Sequence, residues 1–249
     1  MRVAALYDIH SNLPALEAVI ADVRAAGVDR IIIGGDVLPG PLPVETLRYL
    51  GSLDMPLEFL HGNGDREVLA AARGNETASL PAPVRDALRW TAQQLSAKHC
   101  EQIARWPPTV RLTLPPLGEI LFCHATPRND TDIFTRLTPE EPLLSLFSGL
   151  NADIVVCGHT HMPFDRTIGS TRVLNPGSVG MPFCQPAGAY WLLFEPAPSF
   201  RRTQYDLEKA AARIRSSNYP QAAEFAENNI LHPTSEADML HRLAEAELR

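Results

Sequence analysis

Five short apolar runs in this 249-residue chain end in residues that can bind metal ions, and this repetition constrains the fold more than any other feature. Short apolar runs bounded by glycine or acidic residues are typical of buried strands. In open α/β sheets, ligands bind in the crevice beyond the carboxyl ends of the strands. We therefore expect an α/β fold in which these ends meet. They read Asp8-Ile9-His10, Gly34-Gly35-Asp36, Gly62-Asn63-Gly64-Asp65, Cys123-His124 and Gly158-His159-Thr160-His161.

Amphipathic segments alternate with the predicted strands. Asp8 and His10 follow the first strand at alternate positions, so an extended backbone would point both side chains the same way. A stripe of apolar residues predicts one long helix over residues 84–103. The chain beyond Asp206 is alanine-rich with a helical pattern. We expect one domain over residues 1–218 and a helical extension over 219–249 that packs on or beside it.

Composition excludes several classes of function. The net charge of −7 argues against a general surface for nucleic acid or anionic membrane, although bound metal ions can still attract a small anion. No apolar stretch approaches the roughly 18 residues that a membrane span needs. The four cysteines show no Cys-x-x-Cys spacing, and no signal peptide is visible. We expect a cytoplasmic protein without disulfides. The sequence does not specify the oligomeric state, and a homodimer is one candidate.

The side chains at the strand ends form a mixed set of metal ligands. Imidazole suits transition metals, whereas carboxylate and amide oxygens suit Mn²⁺ and Mg²⁺. The set is too large for one ion and fits two ions that share a bridging carboxylate. Two metal ions about 3.5–4 Å apart clamp phosphate oxygens and lower the pKa of a bound water to about 7. The seven candidates are Asp8, His10, Asp36, Asn63, His124, His159 and His161.

The order Asp-x-His, Gly-Asp, Gly-Asn-x-Asp, His and Gly-His-x-His resembles the calcineurin-like metallophosphoesterase family over residues 3 to about 195. The resemblance implies a four-layer α-β-β-α sandwich and two divalent transition-metal ions, with Mn²⁺ favoured over Fe, Zn, Ni or Co. It implies hydrolysis of a phosphoester by in-line attack of a metal-bridging hydroxide. The implied ligands are Asp8, His10 and His161 for the first metal, Asn63, His124 and His159 for the second, and Asp36 as the bridge.

One position departs from the family pattern, which usually reads Gly-Asn-His-Asp or Gly-Asn-His-Glu. Its histidine contacts the phosphate and helps to protonate the leaving group, but here the position is Gly64. Such proton donation is worth about 10²–10⁴-fold, so we expect a preference for phosphodiesters with good leaving groups. His61 is a candidate substitute because it lies two residues before Asn63. Asp65 is a second catalytic candidate, or else it orients the local backbone and caps the next helix.

Three residues are candidates for substrate binding. Asn63 lies at the expected metal centre, Asn12 either contacts phosphate or caps the first helix, and Arg128 either grips phosphate or is a solvated loop residue. We expect a small phosphoester as substrate, with nucleotides and cyclic nucleotides among the candidates. The alternatives are a phosphomonoesterase, including a protein phosphatase, and a non-enzymatic scaffold or binding module of the same fold. The intact ligand set favours an enzyme.

Overall fold

The apolar runs form the centres of two mixed five-stranded sheets in the computed structural model, which describes residues 1–248. The first sheet has the order β10-β9-β1-β2-β3, and the second has the order β4-β5-β6-β8-β7. In the first sheet, β1 pairs in parallel with β2, and β2 pairs in parallel with β3. The strands are β1 Val3–Leu6, β2 Arg30–Gly34, β3 Leu57–Leu60, β4 Thr109–Thr113, β5 Glu119–Cys123, β6 Ile154–Val156, β7 Phe164–Ile168, β8 Thr171–Asn175, β9 Ala189–Glu195 and β10 Ala197–Thr203.

Helices cover the outer faces of both sheets. The helices are α1 Leu13–Ala25, α2 Pro43–Gly51, α3 Asn63–Ala72, α4 Ala82–Gln94, α5 Ala97–Ile103, α6 Glu141–Phe147, α7 Leu207–Arg215, α8 Ala222–Phe225 and α9 Glu236–Leu243, with a π-helix over Ala226–Leu231 between the last two. Among the described residues, no helix is long and apolar enough to cross a membrane.

Alternation along β1 shows how the four layers form. Val3 and Ala5 face the second sheet and share a buried cluster with Phe122. Ala4 and Leu6 point the opposite way and pack with residues of α1, because successive side chains of a strand face opposite sides of the sheet. On the far side, α6 covers the second sheet through a cluster that includes Leu143, Phe147 and Val155. The predicted α-β-β-α sandwich is therefore confirmed.

The prediction of one long helix over residues 84–103 was wrong. The helix stops after Gln94 because Leu95 and Ser96 have extended backbone, and α5 starts immediately afterwards. The Ser96 hydroxyl accepts a hydrogen bond from the His99 amide, which is the geometry of an N-cap. The prediction missed the cap because the apolar residues keep a helical spacing on both sides of the break.

The chain beyond residue 218 packs against the rest of the protein. Phe225, Ala226 and Ile230 are buried in one cluster with Ala211 and Ile214. Arg249, the last residue of the predicted extension, lies outside the described residues. The segment over residues 219–243 is named the C-terminal segment below.

Candidate metal centre

The carboxyl ends of strands from both sheets meet at one edge of the sandwich. Asp8 follows β1 and Asp36 lies just beyond β2, so both carboxylates leave the first sheet side by side. His124 follows β5, and His159 and His161 follow β6, its parallel neighbour in the second sheet. The centre is therefore built from two halves, one supplied by each sheet.

The backbone at this edge is left-handed rather than extended. Five of the seven candidate ligands have positive φ, namely Asp8 (54°), His10 (46°), Asp36 (49°), His159 (66°) and His161 (59°). Non-glycine residues rarely occupy this region, and each such residue costs about 1–3 kcal/mol. The expected extended backbone over Asp8 to His10 was wrong. The two loops are instead held by hydrogen bonds from the Asp8 amide to the Gly35 carbonyl (3.2 Å) and from the His10 amide to the Asp36 carbonyl (2.9 Å).

One group of side chains surrounds Asp8. Its Oδ1 lies 3.4 Å from His161 Nε2, and that nitrogen lies 3.3 Å from His10 Nε2. The ligand atoms of the three residues all lie within 4.8 Å of one another. This spacing allows one ion to contact all three residues.

A second group surrounds His124. His124 Nε2 lies 3.5 Å from Asp36 Oδ1 and 3.9 Å from Asp8 Oδ1. One end of the Asn63 amide lies 3.1 Å from the same nitrogen and 2.9 Å from His159 Nδ1. The other oxygen of Asp36, Oδ2, lies 3.7 Å from His10 Nε2. Asp36 therefore reaches both groups, as a bridging ligand must.

The chemistry of this cluster fits divalent metal ions. Asp8 Oδ1 is buried and accepts no hydrogen bond from the described residues, which costs about 1–3 kcal/mol unless a cation compensates it. The Nδ1 atoms of His124 and His161 lie 3.0 Å from the Gly34 carbonyl and 2.7 Å from the Met181 carbonyl. A proton on each Nδ1 leaves the Nε2 lone pair directed at the centre, which is the usual arrangement of metal-binding histidines.

Burial and charge set the protonation of the cluster. Burial lowers the pKa of both His10 and His159 to about 4. Burial also disfavours a charged His124, but the Asp36 carboxylate outweighs it and raises the pKa of His124 to about 10. The same pairing holds the pKa of Asp36 well below its usual range despite burial. The cluster therefore holds protons that a bound cation would displace.

Asp65 lies behind the centre and joins two loops. Its Oδ2 accepts a hydrogen bond from the Gly62 amide, and its Oδ1 accepts one from the Leu38 amide, both at 3.0 Å. Burial, with the nearby Asp36 carboxylate, raises its pKa to about 7. This geometry is that of a residue that caps α3 and positions the Gly62 and Leu38 loops. A direct catalytic role for Asp65 stays a prediction.

The other sequence candidates lie outside the two ligand groups. His61 and Arg128 line a surface cleft that also includes His124, and His61 Nδ1 there is 3.7 Å from Asp130 Oδ2. The Arg128 guanidinium is exposed and donates two hydrogen bonds to Asp132, at 3.0 and 2.7 Å. The Asn12 side chain is buried, accepts from the Ala15 amide as the N-cap of α1 and donates to the Gly180 carbonyl (2.9 Å). Arg128 is thus paired with Asp132 of its own loop, and Asn12 is bonded to backbone groups.

A turn after β8 supports the centre, although the sequence motif Asn175-Pro176-Gly177-Ser178 is also explained by turn geometry alone. The Ser178 hydroxyl donates to the Asp8 carbonyl (2.7 Å) and accepts from the Met181 amide (2.7 Å). Asn175 donates to the Gly158 carbonyl (2.9 Å) in the loop that carries His159. The turn thus holds the two halves of the centre in register. Its position directly after a strand end was the available signal.

A cavity of about 620 Å³ opens from the centre. His10, Asp36 and Asn63 line one part of it, and α4 and the C-terminal segment contribute other walls. The Phe183 ring, also in the wall, stacks on His161 with ring centroids 4.7 Å apart. A substrate held at the cluster therefore has room for a large second group.

The chain belongs to the calcineurin-like phosphoesterase superfamily, since the family model for that domain matches residues 1–195. A Methanocaldococcus jannaschii protein described as uncharacterized is 27% identical over 242 residues, which cover 88% of this chain and 94% of that protein. A metallophosphoesterase from Sphaerobacter thermophilus is similar in structure, with a TM-score of 0.72, 25% identity, and coverage of 93% of this chain and 98% of the other.

A partial match concerns a symmetrical bis(5'-nucleosyl)-tetraphosphatase of Pseudomonas syringae. It is 39% identical over 105 residues, which cover 38% of this chain and 35% of that protein. Membership of the superfamily supports phosphoester hydrolysis with divalent metals, and the candidate ligand groups are present in this chain.

Proposed function

We propose that the protein is a binuclear metal-dependent phosphodiesterase. The observation that carries this proposal is a centre of converging ligands with no side chain at Gly64, where the family has its proton-donating histidine. A Cβ atom at Gly64 would overlap the Leu38 carbonyl oxygen and would lie 2.9 Å from Pro39 Cδ and 3.0 Å from Asp36 Oδ1. The surrounding loops therefore occupy the space that a side chain would need, which supports a leaving group that departs without strong acid assistance.

The ligand assignments form part of the proposal. Asp8, His10 and His161 would hold one ion, Asn63, His124 and His159 would hold the other, and Asp36 would bridge them. When bound, the two ions would neutralise phosphate charge and lower the pKa of the attacking water. Manganese is favoured because the set mixes imidazole nitrogens with carboxylate and amide oxygens.

The chain's own residues define the reaction geometry. The ends of both sheets fix the ligand atoms from opposite sides, so the phosphate is held between them at the mouth of the cavity. Backbone hydrogen bonds from Gly62 and Leu38 to Asp65 keep the loops beside Asp36 in place. Because His61 does not line the cavity that His10, Asp36 and Asn63 share, we infer that water protonates the leaving oxygen, and this restricts fast turnover to good leaving groups.

The test compares two substrates with the same leaving group, bis(p-nitrophenyl) phosphate and p-nitrophenyl phosphate. The full-length protein is stripped of metal, reloaded with Mn²⁺ and assayed for p-nitrophenolate release. We expect diesterase activity well above monoesterase activity, both dependent on metal. His10→Ala should abolish turnover, whereas His232→Ala, at an exposed surface position, should not.

Monoesterase activity equal to or greater than the diesterase activity would favour the alternative function, a phosphomonoesterase such as a protein phosphatase. No turnover with any metal, despite two bound ions, would favour a scaffold or binding module. A cytoplasmic location and a homodimer are further predictions that fractionation and light scattering would test.

A nucleotide is a second candidate substrate. Two observations favour it, namely the partial match to a symmetrical bis(5'-nucleosyl)-tetraphosphatase and the size of the cavity beside the centre. Hydrolysis of 2',3'-cyclic and 3',5'-cyclic nucleotides and of dinucleoside tetraphosphates, followed by chromatography of the products, would test it. If none of these compounds is hydrolysed while aryl diesters are, this candidate is excluded.

A further inference from the structure

The cavity beside the metal centre is larger than phosphate chemistry requires. Its volume of about 620 Å³ falls in the range of roughly 300–1,000 Å³ that encloses an organic ligand of drug size. His10, Asp36 and Asn63 occupy only one part of its lining. The rest of the cavity is therefore available to an organic group carried by the phosphate.

One wall of the cavity is apolar. It consists mainly of Leu80 with Val84 and Leu88 of α4. Val84 is 41% exposed, a high value for a large apolar side chain. Phe183, which stacks on His161, joins this apolar surface to the metal centre. A substrate with a flat apolar face could pack that face against this wall while its phosphate is bound at the metal centre, and the contact would remove apolar surface from water.

The C-terminal segment supplies the polar wall. Asn228 and Asn229 lie on the π-helix, and Thr234 and Arg242 follow it. The side chains of these four residues make no hydrogen bond or ion pair with the described part of the chain. By contrast, Gln221 in the same wall donates to the Pro83 carbonyl (2.7 Å). Donors and acceptors are thus left free along one side of the cavity.

We propose that the C-terminal segment is the recognition wall for the nucleoside part of the substrate, an inference that rests on the proposed phosphoesterase function. A nucleobase has two apolar faces and an edge of hydrogen-bond donors and acceptors. The apolar wall suits a face, and the amides of Asn228 and Asn229 suit the edge. An alkyl group would leave these amides without partners. Arg242 has no ion-pair partner among residues 1–248, so this cation suits the negative charge of a nucleotide.

The segment is fixed in place at both ends. Near its start, Phe225 and Ile230 are buried against α7 through Ile214. Beyond its end, Glu247 accepts hydrogen bonds from the hydroxyls of Thr135 (2.6 Å) and Thr138 (2.9 Å). This anchoring lets the free amides act as a preformed site. The C-terminal segment also lies beyond residue 195, where the family match ends. The metal centre and the recognition wall therefore come from different parts of the chain.

The experiment uses esters that differ only in the group that stays on phosphorus. The Mn²⁺-loaded full-length protein is assayed with the p-nitrophenyl esters of thymidine 5'-monophosphate, adenosine 5'-monophosphate and methyl phosphate. The variants are the double change Asn228→Ala/Asn229→Ala and the control Asn218→Ala, an exposed asparagine outside the cavity. Circular dichroism confirms that each variant is folded.

We expect the wild-type protein to prefer at least one nucleoside ester over the methyl ester by about tenfold or more in kcat/KM. The double variant should lose about tenfold of that preference, since two hydrogen bonds are removed, and Asn218→Ala should keep it. Equal kcat/KM values for nucleoside and methyl esters, or an unchanged preference in the double variant, would overturn the proposal.

The proposed function can fail independently. If no ester is hydrolysed, the phosphodiesterase proposal is wrong, and calorimetric titration with thymidine and adenosine 5'-monophosphates then decides the recognition proposal. Binding that the double variant weakens and Asn218→Ala retains supports the recognition wall. Absence of binding by the wild-type protein refutes it.

Discussion

Gly64 offers the sharpest test of how this centre differs from the family pattern. Restoring the family histidine by Gly64→His is the obvious way to seek monoesterase activity, and the structure predicts that it fails. The first added atom, Cβ, would overlap the Leu38 carbonyl oxygen and would lie 2.9 Å from Pro39 Cδ. Even Gly64→Ala therefore requires the loop beside Asp36 to move.

The cost follows from two contributions. Overpacking of this kind costs about 1–3 kcal/mol. Movement of the loop also strains the hydrogen bond from the Gly64 amide to Asp36 Oδ1 (2.7 Å), and a hydrogen bond to a charged group is worth about 1.5–3 kcal/mol. We expect Gly64→Ala to lower the free energy of unfolding by up to about 2.5–6 kcal/mol. For a chain of this size that corresponds to roughly 5–24 °C in Tm.

The assay is thermal unfolding with and without Mn²⁺, followed by diesterase and monoesterase rates at saturating metal. Both Gly64→Ala and Gly64→His should unfold at lower temperature and should lose diesterase activity without gaining monoesterase activity. Gly51→Ala is the matched control, because a Cβ atom there meets no atom of the described chain within 4 Å. A Gly64→His variant with the wild-type Tm and raised monoesterase activity would refute this reasoning.

Three further predictions concern groups around the centre. Asp65→Asn should lower the free energy of unfolding by about 1–3 kcal/mol, because an amide nitrogen must then face a backbone N–H donor. Urea titration measures this loss, and the control Asp54→Asn, at an exposed position, should leave the free energy of unfolding unchanged. Metal binding at pH 7 should release about one to two protons, because His124 (pKa about 10) and His161 (pKa raised by Asp8 despite burial) must lose theirs. Metal affinity should therefore rise with pH. Calorimetry in buffers of different ionisation enthalpy measures the number of protons released. His61→Ala should keep the wild-type diesterase rate and pH profile, because His61 does not line the cavity beside the centre. A loss of the basic or acidic limb of the profile would contradict this reasoning.

The pKa of His124 determines whether the stability of the metal-free protein rises or falls with pH. Its pKa is about 10 in the folded protein, whereas the pKa of an isolated imidazole is near 6.5. A raised folded-state pKa contributes stability that is fully present below pH 6.5 and disappears as the pH rises through 10. Metal-free protein should therefore lose stability over that interval, and Mn²⁺ should reverse the loss because it replaces the proton.

The sequence predicted the strands and the ligand candidates because both depend on short-range information. A buried strand is an apolar run, and a residue directly after it is carried to the sheet edge whatever the rest of the chain does. Asp8, Asp36 and His124 illustrate this, since each lies within two residues of a strand end. The family resemblance added the two-sheet arrangement, which periodicity alone does not specify.

The backbone conformation of the ligands was not predictable in the same way. The motif Asp8-Ile9-His10 contains no glycine, yet Asp8 and His10 have positive φ. The cause is tertiary, because their amides donate to the carbonyls of Gly35 and Asp36 on a neighbouring loop. The recognition wall was hidden for a related reason. The helical pattern of the C-terminal segment predicts an apolar face, but it does not say which surface that face covers.

The two halves of the centre are joined below the ligands as well as through them. Tyr7 directly precedes Asp8, is fully buried between the sheets, and donates from its hydroxyl to the Val156 carbonyl at the end of β6 (3.0 Å). Val156 lies three residues before His159, so this hydrogen bond sets the distance between the Asp8 loop of the first sheet and the histidine loop of the second. The Ser178 hydroxyl, bonded to the Asp8 carbonyl, fixes the same loop from another side. The separation of the two ligand groups is therefore a property of how the sheets pack, and the left-handed backbone at the candidate ligands is tolerated because these buried contacts hold it in place.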